Sequence, residues 1–351
     1  LGEVLAKEVP TFSGLLSHKY DLRVLLRLCS LLRKRNIDAV ITVGTGGDKM
    51  FWGRLAAYLA GVPVIASALH STGLPDHVEW LNRIIAPLTD AFIAVAQPHA
   101  EFLVAKEGCP RNRTWVIPNG VDTDRFSPRL PDPKLRQELG LPPDASVIAI
   151  VAALRPEKNH ELFLQMAAKG QEDLVAAFSG LAQSFPEAVL VIIGEGESRA
   201  HLEMQVSSLG LDKRVLFPGF RRDVLDLVAA ADLFVFPSRE EGPGGALIEA
   251  LLLGVPVVAS SAGGIPEVLN GDPSVGMMVP PANPDTLCQA MQETLSLSEE
   301  QRTIATSRAK KIAEERFSEE RLVCQLRNLF QEMVFSRGEL GSLSSRRTKN
   351  E

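Results

Sequence analysis

The sequence predicts an α/β protein with two Rossmann-like domains, each built on a parallel sheet. Three observations carry this. Short apolar runs of strand length alternate with helical stretches along most of the chain, the pattern of βαβ units. Residues 119–145 interrupt that rhythm with prolines and polar turns, after which it restarts. A strand-like run, LFVFP at 233–237, enters a glycine-rich turn that opens a helix carrying an isolated acid. In doubly wound sheets ligands bind at the carboxyl ends of strands, so that turn is placed to meet one.

The elements follow in order. DLRVLLRLCSLLRKRN at 21–36 has the apolar spacing of an amphipathic helix and feeds a strand, DAVITV, at 38–43. The loop GTGGDK leads into a helix over 50–60, Gly61 and Pro63 turn the chain, and VPVIASAL is the next strand. A helical stretch at 79–88, a strand at 91–96, a helix stopped by Gly108 and a strand at 114–118 complete the first half. Beyond the break, VIAIVAAL is followed by a helix beginning near 160, then VLVIIG at 189–194 and a helix at 198–209. VLFPG at 215–219, a helix at 221–230, LFVFP, the acid-bearing helix and VPVVAS continue the alternation, and helices near 284–296, 299–313 and 318–333 close it. The domain reading is therefore 1–125, a link over 126–144, a second domain over 145–315, a helix over 316–336 that crosses back to the first domain, and a polar, disordered tail over 337–351.

Composition narrows the class. A chain of 351 residues with 45% apolar and 23% charged residues is an ordinary soluble globular protein of two domains. A formal net charge of −6 argues against a nucleic-acid binder. Cys29, Cys109, Cys288 and Cys324 are scattered without metal-ligand spacing, so they read as apolar residues of a reducing, cytoplasmic setting. No run approaches bilayer-spanning length, and nothing reads as a signal peptide. The basic end of the first helix, Arg33, Lys34 and Arg35, has two readings: a solvated helix terminus, or peripheral contact with the inner face of a membrane.

Glu241 and Glu249 are the most informative pair. A helix N-terminus offers unpaired N–H groups and a positive dipole end that favour phosphate, so carboxylates beside it need a different role, such as holding sugar or ribose hydroxyls. The bland reading is a surface acid and a solvated helix acid. Against it, Glu249 stands in ALIEALLLG, an otherwise apolar helix. Gly242, Gly244 and Gly245 let backbone approach a ligand closely. Arg155 and Lys158, in the loop RPEKN, either form a solvated basic loop or neutralise a diphosphate. His70, at the end of VPVIASAL, is either a packed histidine or a contact to a transferred group. GTGGDK lacks Walker spacing and GEGES is not GxGxxG, so both read as turns. The remaining histidines do not converge with acids or cysteines, and no metal site is expected.

VIPNGVDTDRFSP at 116–128, RPEKNHELFL at 155–164, VIIGEGESRAHLE at 191–203 and EEGPGGALIEALLLGVPVVASSAGGIPEV at 240–268 together resemble the GT-B retaining glycosyltransferases of family 4. Glu241 and Glu249 match the two acids of that family's E-x7-E motif. The resemblance implies two Rossmann-like domains with parallel sheets facing a central cleft, and a nucleotide diphosphate sugar, a UDP-sugar by default, as donor. Glu249 would take the donor ribose, and Glu241 would stand at the donor sugar with a sugar-hydroxyl or catalytic role. Gly244, Gly245 and Ala246 would approach sugar and phosphates through their backbone. Lys158, with Arg155, would take the diphosphate, and His70 would face the transferred sugar. No metal is required, and the acceptor is a glycan, a lipid-linked glycan or a small metabolite. Asn119, Gly120 and Asp122 match a linker signature with a structural role.

Three features depart from the pattern. Ala153 stands where the family places an arginine, and Arg155 is not at an equivalent backbone position. Pro243 follows Glu-Gly where a phenylalanine is usual. The family's first strand and glycine-rich loop have no counterpart, so the chain, opening on Leu1, reads as lacking its start. Competing readings are a sugar-nucleotide epimerase, a phosphorylase (which would need a pyridoxal-lysine site) and a GT-B fragment that binds nucleotide sugar without transfer.

Overall fold

The computed structural model describes residues 9–15, 22–44, 48–69, 83–129, 133–142, 144–152, 170–196, 198–239 and 241–347. The chain divides into two compact units, residues 1–117 with 324–351 and residues 118–323.

In the first unit, helix α1 (Arg23–Lys34) precedes strand β1 (Ala39–Gly44), α2 (Asp48–Ala60), β2 (Val64–Leu69), β3 (Ala91–Ala94), α3 (Gln97–Ala105) and β4 (Thr114–Val116). The strands form one parallel sheet in the order β1-β2-β3-β4. β2 and β3 are buried throughout, which is why VIASAL and AFIA read as continuous apolar runs. β1 is an edge strand on which Ile41 and Val43 are exposed. Gly53 lets α2 lie against that strand, since a Cβ there would stand 2.6 Å from the Thr42 methyl. Of the helical stretch expected over 79–88, the described part ends in a short 3₁₀ turn, Ala86–Leu88, with Pro87 at its start.

The second unit contains α4 (Pro133–Glu138), β5 (Val147–Val151), α5 (Gln171–Ser184), β6 (Val189–Ile193), α6 (Arg199–Ser208), β7 (Val215–Gly219), α7 (Val224–Ala229) and β8 (Leu233–Phe236). It continues with α8 (Gly245–Leu252), β9 (Val257–Ser260), α9 (Ile265–Val268), β10 (Met277–Val279), α10 (Pro284–Leu295) and α11 (Glu299–Phe317). The parallel strands run β10-β9-β8-β5-β6-β7, a doubly wound order that reverses direction between β5 and β8. Asp232 ties this junction from behind, its Oδ2 accepting the Val147 N–H at 2.8 Å. Two apolar layers flank the sheet: one is built on Phe234, Leu247, Leu251 and Val257, the other on Ile148, Phe178, Leu190 and Leu233.

Three sequence readings need revision. Residues 126–144 are no bare link: Phe126 and Leu135 are buried in the core of the second unit and α4 forms there, because apolar side chains stand among the prolines. The last helix, α12, runs from Glu319 to Arg347, so the helical backbone extends into the stretch read as a disordered tail, where no proline stops it. Its residues from Cys324 onward group with the first unit. β10 has no forerunner in the sequence reading, because three residues are too few to display a strand period. The linker signature does structural work within the second unit. Val121 donates to the Phe317 carbonyl at 2.7 Å, and Gly120 permits the close approach of Glu319, whose Cα would lie 2.8 Å from an added Cβ.

Among the described residues no helix is long and apolar enough to cross a membrane.

Candidate functional site

The strand order reverses between β5 and β8, and in doubly wound sheets ligands bind outside the carboxyl ends of the strands at such a reversal. β8 ends at Phe236 and the chain passes through Pro237, Ser238 and Arg239 to the turn that opens α8. Gly244 caps this helix with φ +69 and ψ +73, a left-handed conformation that glycine adopts without strain. Its missing side chain matters as well, since a Cβ would meet the Phe236 ring at 2.9 Å.

The first intrahelical bonds of α8 run from Leu247 and Ile248 to the Gly244 carbonyl at 2.9 and 3.1 Å. Among the described residues, the backbone N–H groups of Gly245 and Ala246 meet no acceptor. Gly245 is exposed and Ala246 half-buried, so these two donors and the positive dipole end stand open to an anion.

Glu249 lies one turn into α8 and is half-buried among Leu247, Ile248, Ala250, Leu251 and Leu252, all of them buried. Burial pushes its carboxyl above the usual carboxylate range, and the Arg125 guanidinium opposes that shift. No hydrogen bond to this carboxylate occurs among the described residues. Glu241 stands in the turn before α8. Its Oε2 accepts the Ser238 hydroxyl at 3.2 Å, and its backbone carbonyl accepts the Gly264 N–H at 3.2 Å.

The flank of the site is fixed by two contacts. Gly170 (φ +73), which precedes α5, packs so tightly on the end of β8 that a Cβ would fall 1.8 Å from the Pro237 carbonyl oxygen. Arg239 grips Asp173 in the first turn of α5 through two bonds of 3.0 and 2.9 Å, which raises the guanidinium pKa. Gly194, in the GEGES turn, would place a Cβ 1.9 Å from the Ala152 carbonyl oxygen, so its glycine serves close strand-end packing.

Of the residues singled out from the sequence, Glu241, Gly244, Gly245, Ala246 and Glu249 thus sit together on the turn and first coils of α8. His70, Arg155 and Lys158 lie outside the described residues. Ser238, Ser260, Gly263, Gly264 and Arg125 were missed. Their only sequence signals were a Gly-Gly turn after VPVVAS and small polar residues at strand ends. Among the described residues, no cluster of three His, Cys, Asp or Glu side chains could hold a metal ion.

Residues 131–312 match the family described as glycosyl transferases group 1, and residues 2–125 match glycosyltransferase family 4. The chain is 30% identical over 266 residues to the UDP-Gal:alpha-D-GlcNAc-diphosphoundecaprenol alpha-1,3-galactosyltransferase of Escherichia coli, covering 73% of this chain and 66% of that protein. It is 34% identical to the D-inositol 3-phosphate glycosyltransferase of Mycolicibacterium smegmatis, over 50% of this chain and 39% of that one. The chain thus spans between about two fifths and two thirds of the length of these two relatives. Among solved structures, Anabaena HepE in complex with UDP superposes with a TM-score of 0.74 at 26% identity, covering 88% of this chain and 82% of that one. A glycosyltransferase from Rickettsia africae shares the fold, with a TM-score of 0.79 at 19% identity over 95% and 87% of the two chains. With both halves of the chain matched and both parallel sheets accounted for, this protein belongs to the group 1 glycosyl transferases of family 4 and has the GT-B fold.

Proposed function

We propose that this protein transfers a sugar from a nucleotide diphosphate sugar, a UDP-sugar in the first instance, to an acceptor hydroxyl with retention at the anomeric carbon. The observation that carries the reading is the mouth of α8. Two unpaired backbone N–H groups, a helix dipole and a half-buried carboxylate without a hydrogen-bond partner among the described residues stand together at the strand-order reversal. That combination suits a ligand that is anionic at one end and rich in hydroxyls beside it. The N–H groups of Gly245 and Ala246 hold phosphate and sugar oxygens, Glu249 accepts from the ribose hydroxyls, and Glu241 accepts from hydroxyls of the transferred sugar.

Arg155 and Lys158, which follow β5 in the chain, supply positive charge to the diphosphate, and His70 contacts the transferred sugar. In the transfer step the bond from the anomeric carbon to the phosphate oxygen breaks. The acceptor oxygen bonds to that carbon from the same face, and its proton passes to the leaving phosphate. Charge growing on the diphosphate is met by Lys158, Arg155 and the helix N-terminus, so the step requires no metal ion. The names of the relatives support the donor class: the Escherichia coli relative is named for UDP-galactose, and HepE was solved with UDP. They also support a lipid-linked or other glycan acceptor, since the Escherichia coli protein is named for a diphosphoundecaprenol acceptor.

The test is release of free nucleoside diphosphate from UDP-, GDP- and ADP-sugars in the presence of EDTA, with and without polyprenol-linked acceptors. Product anomeric configuration is read by NMR. Glu249→Ala and Lys158→Ala are each expected to weaken donor binding about 10–100-fold, the loss of one or two hydrogen bonds to a charged group. Unchanged donor affinity in both variants would remove the site assignment.

One feature of α1 supports a membrane-borne acceptor. This helix carries exposed Leu22 and Leu26 and ends in Arg33, Lys34 and Arg35. Exposed apolar side chains at one end of a helix and a cation cluster at the other suit the surface of an anionic leaflet. Cosedimentation with phosphatidylglycerol vesicles, released by salt and absent with phosphatidylcholine, is the expected result. Equal recovery from both vesicle types would rule out this contact.

A further inference from the structure

The proposed roles of the two acids differ in a way that the surroundings of Glu241 make concrete. A carboxylate that must meet sugar hydroxyls at a turn needs its rotamer fixed, because a glutamate in a loop otherwise samples many. Ser238 is 2% exposed and Ser260, at the end of β9, is 1% exposed. Two hydroxyls so deeply buried must be hydrogen-bonded or costly. Both are bonded, and in series. The Ser260 hydroxyl donates to the Ser238 carbonyl and lies 3.5 Å from the Phe236 carbonyl. The Ser238 hydroxyl in turn donates its only proton to Glu241 Oε2 at 3.2 Å.

The backbone of Glu241 is held from the same side. Gly263, with φ +53, lies where a Cβ would stand 1.9 Å from the Glu241 carbonyl oxygen, and Gly264 donates to that oxygen. The end of β9 and the glycines after it therefore hold the turn after β8 at two points, the Ser238 carbonyl and the Glu241 carbonyl, and within that turn Ser238 holds the Glu241 carboxylate.

We propose that Ser238 is a positioning residue for sugar recognition: its hydroxyl, braced by Ser260, aims the Glu241 carboxylate at the donor sugar. This rests on the reading of Glu241 as the sugar-contacting acid. It separates two parts of donor affinity. The nucleoside diphosphate is held at α8 and does not need Ser238. The increment added by the sugar does.

The experiment is calorimetric binding of two probe pairs, UDP against UDP-glucose and GDP against GDP-mannose. The proteins are the full chain, Ser238→Ala, Glu241→Ala and the double variant. The ratio of sugar-nucleotide to nucleoside-diphosphate affinity is the readout. For the pair that binds, Glu241→Ala is expected to erase the sugar increment. Ser238→Ala should reduce that increment about 3–10-fold, less than the roughly tenfold or more carried by a hydrogen bond made directly to a charged group, because Ser238 acts through Glu241. The affinity for the bare diphosphate should stay within about twofold in both, which also reports an intact fold.

The double variant should bind the sugar nucleotide no more weakly than Glu241→Ala alone, because Ser238 acts through Glu241. Ser238→Cys, close in size and a poor donor, should match Ser238→Ala. A full sugar increment in Ser238→Ala, or an added loss in the double variant equal to that of Ser238→Ala alone, overturns the proposal. A Glu241→Ala protein that keeps its sugar increment overturns the reading of Glu241 and this proposal with it. Wild-type protein that binds neither pair overturns the donor-site reading as a whole.

Discussion

Arg54 in the first unit and Glu249 in the second are both charges drawn out of water, and their surroundings differ. Arg54 is 3% exposed. Its Nε donates to the Met50 carbonyl at 3.2 Å, its Nη1 to the Thr89 hydroxyl at 3.3 Å, and its guanidinium lies 5.9 Å from the centre of the Phe92 ring. Burial brings its pKa down to about 10, and the same burial pushes the neighbouring Cys109 thiol up to about 12. Glu249 is half-buried, its carboxyl is raised by the same cause, and nothing described donates to it. A buried charge whose partners lie within the fold is scaffold. A buried charge with no donor among the described residues is the setting in which the ligand contact proposed for Glu249 would act.

Substitution of Arg54 gives the larger effect. Arg54→Met removes the charge and with it two bonds in a dry site, one to the Met50 carbonyl, which keeps its helical N–H, and one to the Thr89 hydroxyl, which keeps the Ile85 carbonyl. About 2–4 kcal/mol of stability is expected to go, the sum of two such losses. All three tryptophans, Trp52, Trp80 and Trp115, lie in residues 1–117, so intrinsic fluorescence follows the first unit selectively. In a urea titration the fluorescence midpoint should fall, while UDP affinity below that midpoint stays at the wild-type value. Loss of UDP binding in folded protein would make Arg54 part of the site and undo the contrast with Glu249.

Much of this was legible in the sequence. The strands announced themselves because parallel strands buried on both faces read as unbroken apolar runs, as VIAIV, VLVII and LFVF do. Glu249 was legible for the same reason in reverse, as one acid in an apolar helix. What stayed hidden depends on pairings across the sheet. Ser238 and Ser260 are 22 residues apart, and nothing in either local sequence says that adjacent parallel strands bring their ends together. Gly263 reads as an ordinary turn glycine until the Glu241 carbonyl is seen to occupy the place of its side chain. Residues 126–144 misled because prolines dominate their appearance, while Phe126 and Leu135 decide their packing.

The smallest expected effect tests the comparison most directly. The folded-state pKa of Glu249 is raised above its unfolded value, so its contribution to stability is fully present below the unfolded pKa and is lost as pH rises through the folded one. At neutral pH the ionised carboxylate is therefore a burden on the ligand-free protein. Glu249→Gln keeps the shape and removes the charge. Ligand-free Glu249→Gln should melt slightly above wild type at about pH 7.5, and the difference should vanish as pH falls below the usual carboxylate range, where the wild-type carboxyl is protonated in the folded and the unfolded state alike. Donor binding should weaken over the same neutral range, because the amide keeps a single acceptor oxygen and carries no charge. Equal destabilisation of the variant at neutral and at acid pH would mean that the carboxylate is already satisfied within the fold, as Arg54 is. Stability gained where donor affinity is lost would instead mark Glu249 as a residue kept for its ligand at the expense of the empty protein.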